Sequence, residues 1–117
     1  MDYVDASGSI RDFLKATFFD DFNSFRTWKI EARAPLPCLL VKTAGKSTVQ
    51  LLVRSESDIE AFEKCVEVGN YLKRNFAYIE GVNVFDIDFQ MPPIPDVDEA
   101  SGKNEAWCYM RITYFES

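Results

Sequence analysis

The chain contains no histidine, so the commonest general base and the commonest transition-metal side-chain ligand are both missing. Serine triads built on imidazole go with it. Cysteine is sparse: Cys38, Cys65 and Cys108 form no CxxC pair and are odd in number, which argues against a disulfide framework and for three reduced, buried small hydrophobes. No stretch approaches the ~20 apolar residues of a membrane helix, and Met1-Asp2-Tyr3-Val4-Asp5 lacks the basic region and apolar run of a secretory signal. The expectation is a protein without membrane contact that stays in the cytoplasm where it is made. Basic charge is in deficit, 13 residues against 19 acidic ones, for a formal net charge of −6. That balance works against a polyanionic partner, and no sequence-specific nucleic-acid binding is expected.

What is present is apolar and patterned. At 47% hydrophobic and 15% aromatic the chain is too apolar for a disordered segment. Its 117 residues suit a single domain over 1–117 with one core.

Ile10, Phe13, Leu14, Phe18, Phe22 and Phe25 recur at helical spacing and predict a helix over 7–25, with Ser7 or Ser9 capping its start. From Thr27 the period becomes two: Trp28, Ile30, Ala32 and Ala34 alternate with Lys29, Glu31 and Arg33, as in a strand with one wet face. Pro35 and Pro37 end it. Strands at Cys38–Thr43 and Thr48–Ser55, joined by Ala44-Gly45-Lys46-Ser47, make a hairpin. Ser57-Asp58-Ile59-Glu60 is a capping box, opening a helix to Arg74 whose inner stripe is expected to be Ile59, Phe62, Cys65, Val66, Gly69 and Leu72.

Over 82–90 the apolar set moves from Val82 and Val84 to Phe85, Ile87 and Phe89. A pleated strand does this only through a bulge or with apolar contacts on both faces. Met91 to Glu105 holds three prolines and a run of small polar residues, and is expected to be an irregular connection, mobile in an isolated subunit. The final strand, Ala106–Phe115, places Trp107, Tyr109 and Phe115 on one face and Cys108, Met110, Ile112 and Tyr114 on the other. The fold class is α+β, in the order α-β-β-β-α-β-β, with a mixed, mostly antiparallel sheet and two helices packed on it.

Two motifs fall short of their chemistry. Gly45-Lys46-Ser47 resembles the end of a phosphate-binding loop, but Leu40 stands where the first glycine belongs and a strand follows. Asp96-Val97-Asp98-Glu99 opens like a calcium loop, yet Ala100, Ser101 and Trp107 supply neither the next oxygen, the glycine turn nor the closing carboxylate. Asp86 and Asp88 share a strand face as a paired acid and base might, and their alternation with apolar residues reads as the wet side of a sheet. No catalytic residue, metal ligand or cofactor site is assigned, and no enzyme activity is expected.

The segment Pro35-Leu36-Pro37-Cys38-Leu39-Leu40-Val41, the strand Thr48-Val49-Gln50-Leu51-Leu52-Val53-Arg54-Ser55, the helix after it, the strand ending Asp88-Phe89-Gln90, the prolyl connection and the closing strand Trp107-Cys108-Tyr109-Met110-Arg111-Ile112 together resemble the tail-terminator and tail-completion proteins of long-tailed bacteriophages. The resemblance covers roughly the whole chain in element order. It implies a ring of subunits, six in the known architecture, that caps the tail tube and meets the head-tail connector protein. Assembly would take place in the host bacterial cytoplasm, and the ring would end in the virion neck. A head-closure or neck protein, or an unrelated small protein-binding domain or carboxylate enzyme, are the alternatives. A pocket gathering Asp86, Asp88 and the acidic segment would favour the enzyme, and a flat apolar patch beside the last strand would favour assembly. The candidate contact residues are Ile94 and Val97, which a partner can bury, Asp96, Asp98 and Glu99, which would set register against a basic neighbour, and Trp107 and Tyr109 on the last strand.

Overall fold

The computed structural model describes residues 5–114. Helix α1 (Ser7–Phe18) precedes strand β1 (Ser24–Thr27), the hairpin β2 (Cys38–Thr43) and β3 (Thr48–Ser55), helix α2 (Asp58–Asn75) and the long hairpin β4 (Val84–Val97) and β5 (Asn104–Tyr114). A short 3-10 turn, Phe76–Tyr78, follows α2. The five strands form one sheet in the order β1-β2-β3-β5-β4, parallel between β1 and β2 and antiparallel elsewhere. Both helices lie on one face of it. Ile10 and Leu14 of α1 and Ala61, Cys65, Val68 and Leu72 of α2 are buried in one cluster with Leu39, Val41, Leu51, Val53, Cys108, Met110 and Ile112 of the strands. The helices touch through Tyr71, which stacks on Phe13 and accepts a hydrogen bond from Thr17 Oγ1 at 2.8 Å.

The expected order of elements is the observed one, with four local corrections. Helix α1 ends at Phe18 instead of running to residue 25, and Phe22 and Phe25 reach the same core from the segment beyond it. Neither Ser7 nor Ser9 caps the start of α1: Ala6 is the N-cap and brings no side-chain bond, and Asp5 before it accepts bonds from both the N–H and the hydroxyl of Ser7. The strand expected from Thr27 is displaced toward the amino end: Trp28 takes a left-handed backbone, φ 71°, which stops β1 at Thr27 and opens an irregular connection.

The third correction concerns α2. Ser57 caps it, its hydroxyl accepting from Glu60 N at 3.2 Å, while the Glu60 carboxylate takes the Ser55 hydroxyl at 2.5 Å instead of closing the box on Ser57 N–H. The buried stripe runs Ala61, Cys65, Val68, Gly69 and Leu72, and Ile59 and Phe62, expected inside, are exposed at 66% and 39%. Gly69 earns its place through contact: a Cβ there would stand 2.6 Å from the Phe89 ring of β4.

The fourth is the segment 91–105. Residues 91–97, expected to be irregular, continue β4, and only the short stretch between Val97 and Asn104 turns. β4 is an edge strand, so a proline there can turn its missing N–H away from the sheet. The turn is bonded throughout: Asp98 N to Lys103 O at 2.9 Å, Gly102 N to Asp98 O at 2.7 Å, and Ser101 N and Oγ to the Asp98 carboxylate. The bulge expected near Val84 is present. Register shifts fall between Val84 and Asp86, Phe89 and Met91, and Met91 and Ile94. Each adds one residue to β4, so its 14 residues lie against 11 of β5.

Candidate functional site

With both helices on one face, the pleat sends every second residue of the sheet to the other. Register places these residues in rows. Cys38, Arg54, Glu105 and Asp96 form the row nearest the β4–β5 turn; Leu40, Leu52, Trp107 and Ile94 form the next; Lys42, Gln50, Tyr109 and Met91 come after that; and Thr48, Arg111 and Asp88 lie toward the β2–β3 turn. The centre of this outer face is therefore apolar and aromatic. Trp107 and Tyr109 meet edge to face with centroids 5.2 Å apart, and the Trp107 indole N–H donates to Asp96 Oδ2 at 3.3 Å. The sequence accounts for the share of β5 in this, because its apolar residues fall on both faces, while Leu52 and Met91 are brought there by register.

On the β1 side the face is closed off. Arg26 stands opposite Leu40 in the ladder, and its Nε bonds Glu31 Oε1 at 2.7 Å, so the connection after β1 borders the face there. Leu40 is 6% exposed. The open part spans β3, β5 and β4.

The row near the β4–β5 turn is charged and tight. Arg54 Nε bonds Glu105 Oε2 at 2.8 Å and its guanidinium lies 3.6 Å from Asp98. Burial nevertheless pushes the Glu105 carboxyl above its usual range, with Arg54 only partly offsetting it. Asp98 is held below its usual range, chiefly by hydrogen bonds from Ser101 and secondarily by Arg54.

Of the candidate contact residues, the structure brings together Ile94, Asp96, Trp107 and Tyr109 on the outer face. Val97, opposite Asn104, has the other parity and leaves it, although it is 52% exposed. Asp98 is occupied in its turn, and Glu99 stands at the exposed tip. Phe115 lies outside the described residues. Leu52, Met91 and the flanking Lys42 and Arg111 were missed. The alternation Gln50, Leu52, Arg54 carried the signal for Leu52, but only the register shows that it stands beside Trp107.

Asp86 and Asp88 do not join the acidic turn. They pair with Thr113 and Arg111 at the opposite end of β4, and Asp88 is lowered first by a hydrogen bond from Lys73, 3.2 Å away. Among the described residues no three acidic or cysteine side chains gather as a metal site would require. All three cysteines are buried and free; burial raises the Cys38 thiol, and the neighbouring Cys108 thiol together with burial raises Cys65, so neither is poised as a thiolate. No described helix is long and apolar enough to cross a membrane.

No family model and no curated protein matches this chain. The geometry of the outer face therefore carries the functional reading.

Proposed function

We propose that this chain is a non-enzymatic assembly protein of a virion, a subunit of the tail-terminator kind, that works by presenting flat surfaces to other proteins. The observation that carries the reading is the uncovered sheet face, where Leu52, Met91, Ile94, Trp107 and Tyr109 form an apolar stripe beside the last strand. A patch of this kind on a small protein marks a contact surface, and aromatic residues are those that concentrate binding energy at such contacts. Asp86 and Asp88 stand at the opposite end of β4 from the acidic turn, so among the described residues the carboxylates that the rival reading needs are not gathered in one place. In this reading subunits close into a ring on the end of a tail tube and offer the opposite side of the ring to the head connector. Self-contacts and tube contacts would share the exposed surface between them.

The test is assembly itself. Negative-stain microscopy of the concentrated protein, alone and with purified tail tubes, should show rings in solution or densities capping the tubes, and Trp107→Glu should abolish both. Tubes left bare at micromolar protein, with no rings in solution, would overturn the reading.

A further inference from the structure

The outer face carries opposite charge at its two ends. Toward the β2–β3 turn stand Lys42 and Arg111, with Lys46 in the turn itself, against the one carboxylate of that row, Asp88, which Lys73 holds; toward the β4–β5 turn stand Asp96 and Glu105, with Asp98 and Glu99 in the turn, against Arg54. Some of these charges are already engaged: Asp98 with Arg54, Asp96 with the Trp107 indole. Glu99, Lys46 and Arg111 are exposed. Between the two ends lies the stripe of Leu52, Trp107, Tyr109, Met91 and Ile94.

A surface polarised in this way fits a reversed copy of itself. Placed face to face with strands running oppositely, two chains would set each basic end over the other's acidic end and stripe against stripe. A partner that was basic throughout would meet Lys42, Lys46 and Arg111 with like charge, which disfavours it. Rotation by half a turn closes such a contact, so it makes a pair and stops.

We infer that the uncovered sheet face binds a second copy of this chain, in a two-fold pair held by the Trp107 stripe and registered by the opposite charges at its ends. Three strands about 4.8 Å apart, with outward rows about 6.8 Å apart, offer on the order of 500 Å2 of flat surface per chain. That is the lower end of specific interfaces, so the pair is weak and reversible. It goes beyond the virion reading and does not need it: the pair forms in solution whether or not the chain acts on a tail.

The test exchanges charge at one end at a time. Lys46→Glu with Arg111→Glu makes both ends acidic; Asp96→Lys with Glu99→Lys makes both ends basic. Sedimentation velocity across a micromolar to millimolar range should show wild type moving from one mass toward two. Each double variant should be weakened at least about tenfold, and the two mixed in equal amounts should pair again, since both of their contacts are then attractive. Leu52→Glu, which puts a charge in the centre of the stripe, should weaken pairing in a way no mixing restores. Circular dichroism melts keep the comparison to folded variants, and Lys46→Gln with Glu99→Gln gives a milder pair should either double variant unfold. Wild type that stays monomeric throughout, or a mixture that fails to pair, overturns the inference and leaves the face to a different protein. A larger assembly indifferent to every one of these substitutions also overturns it while leaving the ring reading intact.

Discussion

Glu105 is a carboxylate held between two opposing effects. Its side chain is 9% exposed, which disfavours charge, while Arg54 Nε stands 2.8 Å away and favours it. Burial is the larger, and the folded carboxyl sits above its usual range. A carboxyl that holds its proton more tightly folded than unfolded adds stability below its unfolded pKa and gives that stability up as pH rises through the folded one. Asp98 and Asp88, both lowered, act in the opposite sense: they stabilise above the ordinary carboxylate range and lose their contribution as pH falls. Comparing Glu105→Gln with wild type isolates the first effect. The melting temperature of the variant minus that of wild type should be more favourable at pH 7 than at pH 4, measured by thermal denaturation at fixed ionic strength. A difference that is flat or grows toward acid would show that the ion pair, not burial, dominates at this carboxyl.

Helix α2 meets strand β4 at Gly69, where the helix backbone comes within reach of the Phe89 ring. Any side chain at that position has to move an aromatic ring out of its place against the core. Gly69→Val should therefore destabilise the fold by about 1–3 kcal/mol, as overpacking does, despite the usual helix penalty of glycine. Urea denaturation followed by circular dichroism checks it, and a neutral or stabilising outcome would mean that the helix can lift off β4. The same two elements show what the sequence makes legible. Ser57 and Glu60 announce the start of α2 because capping is local chemistry. The inner stripe was rotated, since Ile59 and Phe62 are apolar residues left on the surface and the period alone cannot tell an exposed apolar residue from a buried one. The prolyl end of β4 was unreadable for another reason. Proline excludes a central strand but not an edge, and which strand is an edge depends on β5 inserting between β3 and β4, a pairing remote in sequence. Trp28 is a third case, in which a left-handed backbone at a bulky residue overrides a clean alternation. Within the candidate site, Trp107 and Tyr109 were visible from the two-sided apolarity of β5. Their neighbours Leu52 and Met91 became visible only through register.

Across the whole molecule, the sheet has one broad face for helices, one broad face left open, and two edges. The edges differ in how they end hydrogen bonding. β1 has four residues. β4 is long, yet it carries Pro92, Pro93 and Pro95 and three bulges within its length. A strand edge with a continuous row of free donors and acceptors is a template on which further chains add without limit, and proline and bulges interrupt that row. For a chain with a half-buried apolar stripe on its open sheet face, the consequence is protection from fibre growth: a two-fold contact through the face would end at a finite number of chains, whereas association through the edge would not end. Replacing Pro92, Pro93 and Pro95 together by threonine restores the missing donors and raises strand propensity. The triple variant should bind an amyloid dye and become insoluble on prolonged shaking under conditions where the wild-type chain stays clear. If the two remain equally soluble, the bulges alone blunt the edge, and the prolines are there for the shape of the hairpin.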